Sequence, residues 1–350
     1  MDDLKAMQQA LALARFVEGR TAPRPPVGAL LVRDGIPVGR GATAPPFGPH
    51  AEVEAIREAG EAAQGATLYV TLEPCCITVH TSPCTEAIIN AGIKRVVIGT
   101  IDPNPRVSGR GIALLRDAGI EVVPPLDMPE ARALVQPFAT FITQHRPFVT
   151  AKWAMTLDGK LATTTGDSRW ISGVNARAWV HDLRDRVDAI LIGSGTALID
   201  NPQLTVRLPQ ALRASRPLPW RLICSTHGNL PSGLRLLEPD LAERTCILVG
   251  ETCPPNRQEA LIARGVQVLS IAEDGQGRLD LHSALQALAS RDIMHVLLEG
   301  GSTLLGDALD RQLIDHVATF VAPRLVGGSH APSPIGGLGA KKMEQAWRLR

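Results

Sequence analysis

One histidine, one glutamate and two cysteines constrain this chain more than anything else in it. Pro49-His50-Ala51-Glu52 is followed by Glu73-Pro74-Cys75 and then by Pro83-Cys84. His50, Cys75 and Cys84 make a donor set for Zn²⁺ that leaves a fourth position open for water. In mid-helix, residues two apart point to nearly opposite sides, so His50 and Glu52 could not share a site there. At a helix tip they can. The spacing therefore predicts a helix opening at His50, with Val53 and Ile56 starting its apolar stripe and Gly60 as its stop. A second predicted helix begins just behind Cys84 with Thr85 to Ile89 and is closed by Gly92. Two helix N-termini facing one site would favour thiolate and hydroxide.

Taken singly, these residues mean little. His-Ala-Glu is most often solvated helix surface, and a lone cysteine is most often a small buried hydrophobe. The ordered set is another matter, because His-x-Glu followed by Pro-Cys and a second Cys is the signature of zinc-dependent deaminases. The metal makes hydroxide available near neutral pH. Glu52 is placed to take the water's proton and pass it to the departing amine. Cys76 is a rival ligand, but Cys75 stands directly behind Pro74 as the motif requires.

Composition excludes other classes. A chain of 350 residues favours two domains over one core. With 36 basic and 35 acidic residues the net charge is +1, which makes no electrostatic bid for nucleic acid or membrane. Aromatic residues are 3%, with Tyr69 the single tyrosine, too few for a platform that stacks single-stranded bases. A nucleic-acid deaminase is disfavoured on both counts. The N-terminus has no apolar core or cleavage site of a signal peptide, and no run approaches a membrane span. Six cysteines in that setting read as metal ligands plus buried thiols, and the location as cytoplasmic. Oligomeric state stays open between monomer and homo-oligomer.

The rest of the chain reads as alternating strands and helices. A first helix spans Leu4 to about Glu18. Val27–Val32 and Ile36–Gly39 form a hairpin around Asp34-Gly35. Strands follow at Thr67–Leu72, Arg95–Thr100 and Ile120–Val123, with a helix at Gly111–Ala118. This is a three-layer α/β domain with its site at strand ends. A helix from Glu130 to Gln144 is expected to break at Pro137. The boundary falls near residue 146, dividing the chain into 1–145 and 146–350. Beyond it, strands are expected at Phe148–Ala154, Ala189–Gly193, Leu222–Cys224, Cys246–Val249 and His295–Glu299. Helices are expected at Asn175–Arg186, Asn256–Ala263, Leu281–Ala289 and Ser302–Leu309. Residues 205 to 240, rich in Pro and Arg, resist assignment. The Glu299-Gly300-Gly301-Ser302 turn could hold an anion at a helix N-terminus, although taken alone a structural turn is the stronger reading. Arg184 and Arg207 could each grip a phosphate, against the commoner fate of solvated surface.

These residues carry a resemblance. Gly65 through Cys75, Asp102-Pro103-Asn104-Pro105 and Gly109-Arg110-Gly111-Ile112 are similar to the bifunctional riboflavin-biosynthesis deaminase/reductases. So are Thr156-Leu157-Asp158-Gly159-Lys160 and Asp200 through Arg207. The resemblance runs nearly end to end. It implies a cytidine-deaminase-like N-terminal domain and a dihydrofolate-reductase-like C-terminal domain, acting in turn on a small phosphorylated pyrimidine. The first would remove a ring amino group with zinc on His50, Cys75 and Cys84 and with Glu52 as proton shuttle. The second would use NADPH to reduce the ribosyl group to ribityl. Ala154, Trp170, Thr196, Asp200, Ser225 and the turn Gly301, Ser302 and Thr303 would line NADPH. Ser168, Arg184, Leu204, Arg207 and Glu299 would contact the reductase substrate.

The departures from that family cluster around the deaminase pocket. Arg24 stands where the family has an Asn that helps hold the pyrimidine. Ala42-Thr43 replaces an aromatic-His pair, and Ile77, Thr78, Val79 and His80 fill places where the family favours His, Gly and a basic residue. Arg24 could meet the phosphate from another side, and His80 could stand in for the basic residue. The catalytic set is intact while the substrate grip is altered. The alternative reading is thus a working reductase beside a deaminase of changed or lost substrate. In the second half Cys224 replaces the usual Asp, and Arg350 precedes the family's closing strands, leaving an expected open sheet edge.

Overall fold

The computed structural model describes residues 2–78, 82–208 and 217–349. The chain divides into two compact units, Met1–Arg146 and Pro147–Arg350.

The first unit is built on a five-stranded sheet of order β2-β1-β3-β4-β5, with β1 Gly28–Arg33, β2 Ile36–Ala42, β3 Thr67–Val70, β4 Arg95–Ile98 and β5 Glu121–Val122. β1 pairs antiparallel with β2 and β3, and the remaining neighbours are parallel. Asp34 and Gly35 take φ of 51° and 76°, the left-handed pair that a tight hairpin needs. β1 is apolar at successive positions because both its faces are covered. Ala29 and Leu31 pack with Ala51, Ala55, Ile88 and Leu115, whereas Leu30 and Val32 pack with Met7, Leu11 and Leu134. Those partners come from α1 Asp3–Phe16, α2 Ala51–Ala59, α3 Cys84–Asn90, α4 Arg110–Asp117 and α5 Pro129–Gln144. The result is the expected three-layer α/β arrangement.

Two details differ from the sequence reading. β2 continues past Gly39 to Ala42. A Cβ on Gly41 would lie 2.0 Å from the Ala51 carbonyl oxygen, so glycine lets α2 rest directly on the strand and fixes where its tip points. And α5 runs unbroken through Pro137, contrary to expectation. The burial of Leu134, Val135 and Phe138 around it outweighs the lost backbone hydrogen bond.

The second unit holds a seven-stranded sheet of order β10-β9-β8-β7-β11-β6-β12, parallel at every pairing. The strands are β6 Phe148–Thr156, β7 Ala189–Gly193, β8 Trp220–Cys224, β9 Thr245–Gly250, β10 Gln267–Ile271, β11 His295–Glu299 and β12 His316–Ala322. Connecting helices include α6 Val174–Asp185, α7 Ser194–Asp200 and the segments Pro255–Ile262, Leu281–Ala289 and Ser302–Asp310. β7 alternates its side chains between two cores, Ala189 and Leu191 into one, Ile190 and Ile192 into the other. The sequence reading missed α7, β10 and β12. β10 and β12 interleave polar with apolar residues as the sheet's outermost strands, and α7 is a seven-residue helix containing Gly195, too short for a periodic signal.

Candidate active sites

In the first unit the sheet and two helix tips bring the four expected residues together. His50 is the N-cap of α2, extended at φ −78° and ψ 164°, so its imidazole projects off the helix end. Cys84 is the first residue of α3, and its backbone N–H donates to the Cys75 sulfur at 3.3 Å. His50 Nδ1 lies 3.0 Å from Cys84 Sγ and 3.5 Å from Cys75 Sγ, and the three ligand atoms all fall within 4.8 Å of one another. Ligands on one tetrahedral zinc sit about 3.5–3.8 Å apart, given Zn–S and Zn–N lengths near 2.3 and 2.0 Å. Among the described residues this is the one such cluster, and Cys76 is not part of it.

The electrostatics fit a cation. The Cys84 thiol donates to Cys75, drawing the Cys75 thiol down to about 4 against the effect of its burial. The same bond, with burial, pushes Cys84 well up. His50 is raised chiefly by its hydrogen bond to Cys75. Two sulfurs and an imidazole thus compete for one positive charge, which a divalent ion would supply to all three. Glu52, in the first turn of α2, is buried beside them; burial, then the charge of Cys75, lifts its carboxyl to about 7.

A residue outside the sequence-based set holds Cys75 in place. Glu73 is buried, and its carboxylate accepts from the backbone N–H of Gly109 at 2.9 Å and of Asp102 and Ile112 at 3.3 Å. This ties the Cys75 segment to the start of α4. A Cβ on Gly111 would meet the Pro74 carbonyl oxygen at 2.2 Å, so α4 can come this close only at glycine. The acidic residue before Pro74-Cys75 was the available signal.

Two departures at the pocket rim, Thr43 and Arg24, have structural roles. Thr43 is buried, and its hydroxyl accepts from the Val27 N–H at 3.0 Å. Arg24 does not extend free toward a substrate. Its Nη1 donates to the Gly48 carbonyl at 2.7 Å and its Nη2 to those of Ala44, at 2.8 Å, and Pro45. Val79 and His80 lie outside the described residues.

In the second unit most of the expected cofactor residues fall at the carboxyl ends of four adjacent parallel strands. Ala154 is near the end of β6, Thr196 and Asp200 are in α7 directly after β7, Ser225 follows β8, and Gly301 follows β11. That is where open α/β sheets receive ligands. Gly300 and Gly301 take φ of 81° and 68°, and a Cβ on Gly301 would come within 3.0 Å of Thr196 Oγ1. The turn feeds Ser302 and Thr303 into a helix N-terminus whose free N–H groups suit a cofactor phosphate. Ser168 and Trp170 sit on the loop between β6 and α6, which reaches α7 through Arg169 Nη2 to the Asp200 carbonyl at 3.4 Å. Trp170 is exposed, with the Arg177 guanidinium over its ring.

The expected substrate residues have partners within the protein. Arg184 is not a free phosphate clamp. Its Nε and Nη2 bond both oxygens of Glu299, at 2.5 and 2.9 Å, and its Nη1 bonds the Thr205 carbonyl at 3.1 Å. Leu204, at φ 49°, buries its side chain in the core with Ile190 and Ile223. Arg207 is exposed, its Nη2 on Gln203 Oε1 at 2.9 Å. The sequence reading also missed Lys152, with Nζ 3.9 Å from Glu299, and His181, whose Nδ1 lies 3.1 Å from the Thr205 carbonyl. Cys224 is half-buried at the end of β8, and burial pushes its thiol up to about 12.

Residues 147–350 match the family described as RibD C-terminal domain, and residues 1–100 match the cytidine and deoxycytidylate deaminase zinc-binding region. The riboflavin biosynthesis protein RibD of Aquifex aeolicus is 42% identical over 348 residues, covering 99% of this chain and 94% of that protein. The chain belongs to the RibD family. Solved RibD structures agree. That of Acinetobacter baumannii superposes with a TM-score of 0.86 at 36% identity, over 99% of this chain and 94% of its own. A Thermotoga maritima protein gives 0.80 at 38% identity, over 97% and 91%. As a RibD the protein is a bifunctional riboflavin-biosynthesis enzyme, a zinc-binding deaminase joined to an NADPH-dependent reductase. Among the described residues no helix is long and apolar enough to cross a membrane.

Proposed function

We propose that the first unit deaminates a diamino-ribosylaminopyrimidinone 5′-phosphate and that the second reduces the ribosyl side chain of the product to ribityl. The Thermotoga maritima relative is described as a diaminohydroxyphosphoribosylaminopyrimidine deaminase/5-amino-6-(5-phosphoribosylamino)uracil reductase, which supports the same pair of substrates here. The observation that carries the reading is the convergence of His50, Cys75 and Cys84 with buried Glu52 at the tips of α2 and α3. His50, Cys75 and Cys84 would hold the zinc. When bound, it supplies activation of a water near neutral pH. Glu52 takes the proton as the water oxygen bonds to the ring carbon, then delivers it to the amino nitrogen as the carbon–nitrogen bond breaks. Ammonia leaves, and the proton left on the new hydroxyl moves to the neighbouring ring nitrogen, so that a carbonyl remains.

In the second unit Ala154, Thr196, Asp200, Ser225 and the Gly301–Thr303 turn would orient NADPH, with Trp170 at the rim. Hydride passes to C1′ of the ribosyl group as its ring bond to oxygen opens, and a proton completes the new hydroxyl. Ser168, Arg207 and the backbone of Leu204 would receive the substrate. Glu299, held by Arg184, would present a fixed carboxylate edge. Six free cysteines support a reducing, cytoplasmic setting.

The rim changes at Arg24 and Thr43 favour a second reading, a deaminase that takes a modified pyrimidine. The test is to follow ammonia release and NADPH oxidation separately on the phosphorylated pyrimidine. Ammonia release preceding NADPH oxidation supports the two-step enzyme. NADPH oxidation with the deaminated compound, but no ammonia from its precursor, supports the second reading.

A further inference from the structure

The loop from Ala44 to Pro49 is the segment that delivers His50 to the deaminase site, and its own backbone holds it weakly. Internally it has the Ala44 N–H on the Pro49 carbonyl at 3.1 Å and the Gly48 N–H on the Pro45 carbonyl at 3.0 Å. Its proline residues remove three donors, and Phe47 sits at φ 69°, a region that a bulky residue avoids. The Phe47 side chain is 78% exposed. What closes the loop is Arg24, 20 or more residues upstream, whose guanidinium spans the carbonyls of Ala44, Pro45 and Gly48.

Arg24 is itself fixed. Its own backbone turns on Thr21, with the Arg24 N–H on the Thr21 carbonyl at 2.8 Å and the Thr21 hydroxyl on the Arg24 carbonyl at 2.7 Å. Its Nε is buried without a partner among the described residues. A planar fork reaching three carbonyls is geometry that a lysine ammonium or an asparagine amide at this position could not reproduce. The charge also sits close enough to Cys84 and His50 to act on both.

We propose that Arg24 is a positioning residue for the zinc site. By spanning the 44–48 carbonyls it sets the approach of His50 and so holds the three-ligand arrangement together. Its two Nη groups donate to the protein's own backbone carbonyls. The proposal rests on the reading of His50 as a zinc ligand.

The experiment uses the full-length protein. Zinc transfer to a colorimetric chelator is timed for wild type, R24A, R24K and H50A, alongside KM and kcat for ammonia release. Circular dichroism and thermal unfolding report whether each variant is folded. R24A is expected to lose zinc at least tenfold faster than wild type while its KM stays within twofold. R24K should fall between them, and millimolar guanidinium ion should slow the loss from R24A. Should R24A fail to fold, faster zinc loss from folded R24K carries the expectation. Zinc loss from R24A at the wild-type rate overturns the proposal. So does a tenfold rise in KM with zinc loss unchanged, which would make Arg24 a substrate contact. Wild type without zinc, or H50A holding it as tightly as wild type, overturns instead the underlying reading of His50.

Discussion

Arg184 and Glu299 form a two-toothed ion pair between α6 and the end of β11, with Nε–Oε1 at 2.5 Å and Nη2–Oε2 at 2.9 Å. Burial pushes the Glu299 carboxyl up, and the Arg184 charge more than offsets it, leaving the group ionised below its ordinary range. Because Arg184 also holds the Thr205 carbonyl, the pair links the end of β11 to the Leu204–Arg207 segment.

Breaking that pair from one side should be expensive. R184M would leave the buried Glu299 carboxylate without its two-bond partner, with only Lys152 at 3.9 Å, and cost roughly 3 kcal/mol of stability. R184M/E299L should regain part of it, since the carboxylate goes with its partner and only the Lys152 ammonium loses a neighbour, yet should not regain NADPH oxidation. Thermal unfolding of both variants checks this, and R184M melting with wild type would sink the argument.

Glu52 and Cys84 should fail in different ways. E52Q keeps the ligand set and should retain zinc while losing ~10²–10⁴-fold in ammonia release, the usual loss on removing an acid–base group. C84S should lose zinc as well. Both should oxidise NADPH at near wild-type rates, because their positions lie in the other compact unit. Metal analysis with the two assays distinguishes them. Full ammonia release by E52Q would remove Glu52 from its role.

For Arg207, the expectation is a substrate effect rather than a cofactor effect. Its side chain is exposed at the rim, and a charged hydrogen bond to phosphate contributes ~1.5–3 kcal/mol. R207A should therefore raise the reductase substrate's KM about ten- to hundred-fold with little change for NADPH. If NADPH affinity falls instead, the two ligands have been assigned to the wrong surfaces.

The acid limb of stability should come from two neighbours of opposite sign. Burial lowers His295 to about 3, so the folded state keeps it neutral while the unfolded chain protonates from 6.5 downward. Its contribution is complete above pH 6.5 and is lost as pH falls toward 3. Burial raises Asp188 to about 6 from 3.8, so its contribution is complete below 3.8 and is lost as pH rises through 6. Between pH 4 and 6 the two slopes oppose each other. D188N keeps an acceptor for the Met294 and His295 N–H groups but no titration, and should make the acid loss steeper. Denaturant unfolding across that range is the measurement, and a flatter profile in D188N would contradict the assignment.

Local chemistry was legible in the sequence. The His50-Ala51-Glu52 spacing demands a helix tip, Asp34-Gly35 demands a hairpin turn, and the apolar runs of β1, β7 and β11 demand burial on both faces. These follow from residues close in the chain, whose geometry backbone sterics decide. What each side chain meets across the fold is a different matter, and only tertiary structure decided it. Arg184 and Arg207 are both arginines free to grip phosphate until α6 is set against β11, where Glu299 claims one and not the other. Leu204 turns inward because its neighbours in space are Ile190 and Ile223. Arg24, a poor replacement for a substrate-binding asparagine by its chemistry alone, closes a loop whose carbonyls lie 20 to 24 residues away. Partners at such separations carry no local signal, since they are selected by packing rather than by the preferences of any one segment.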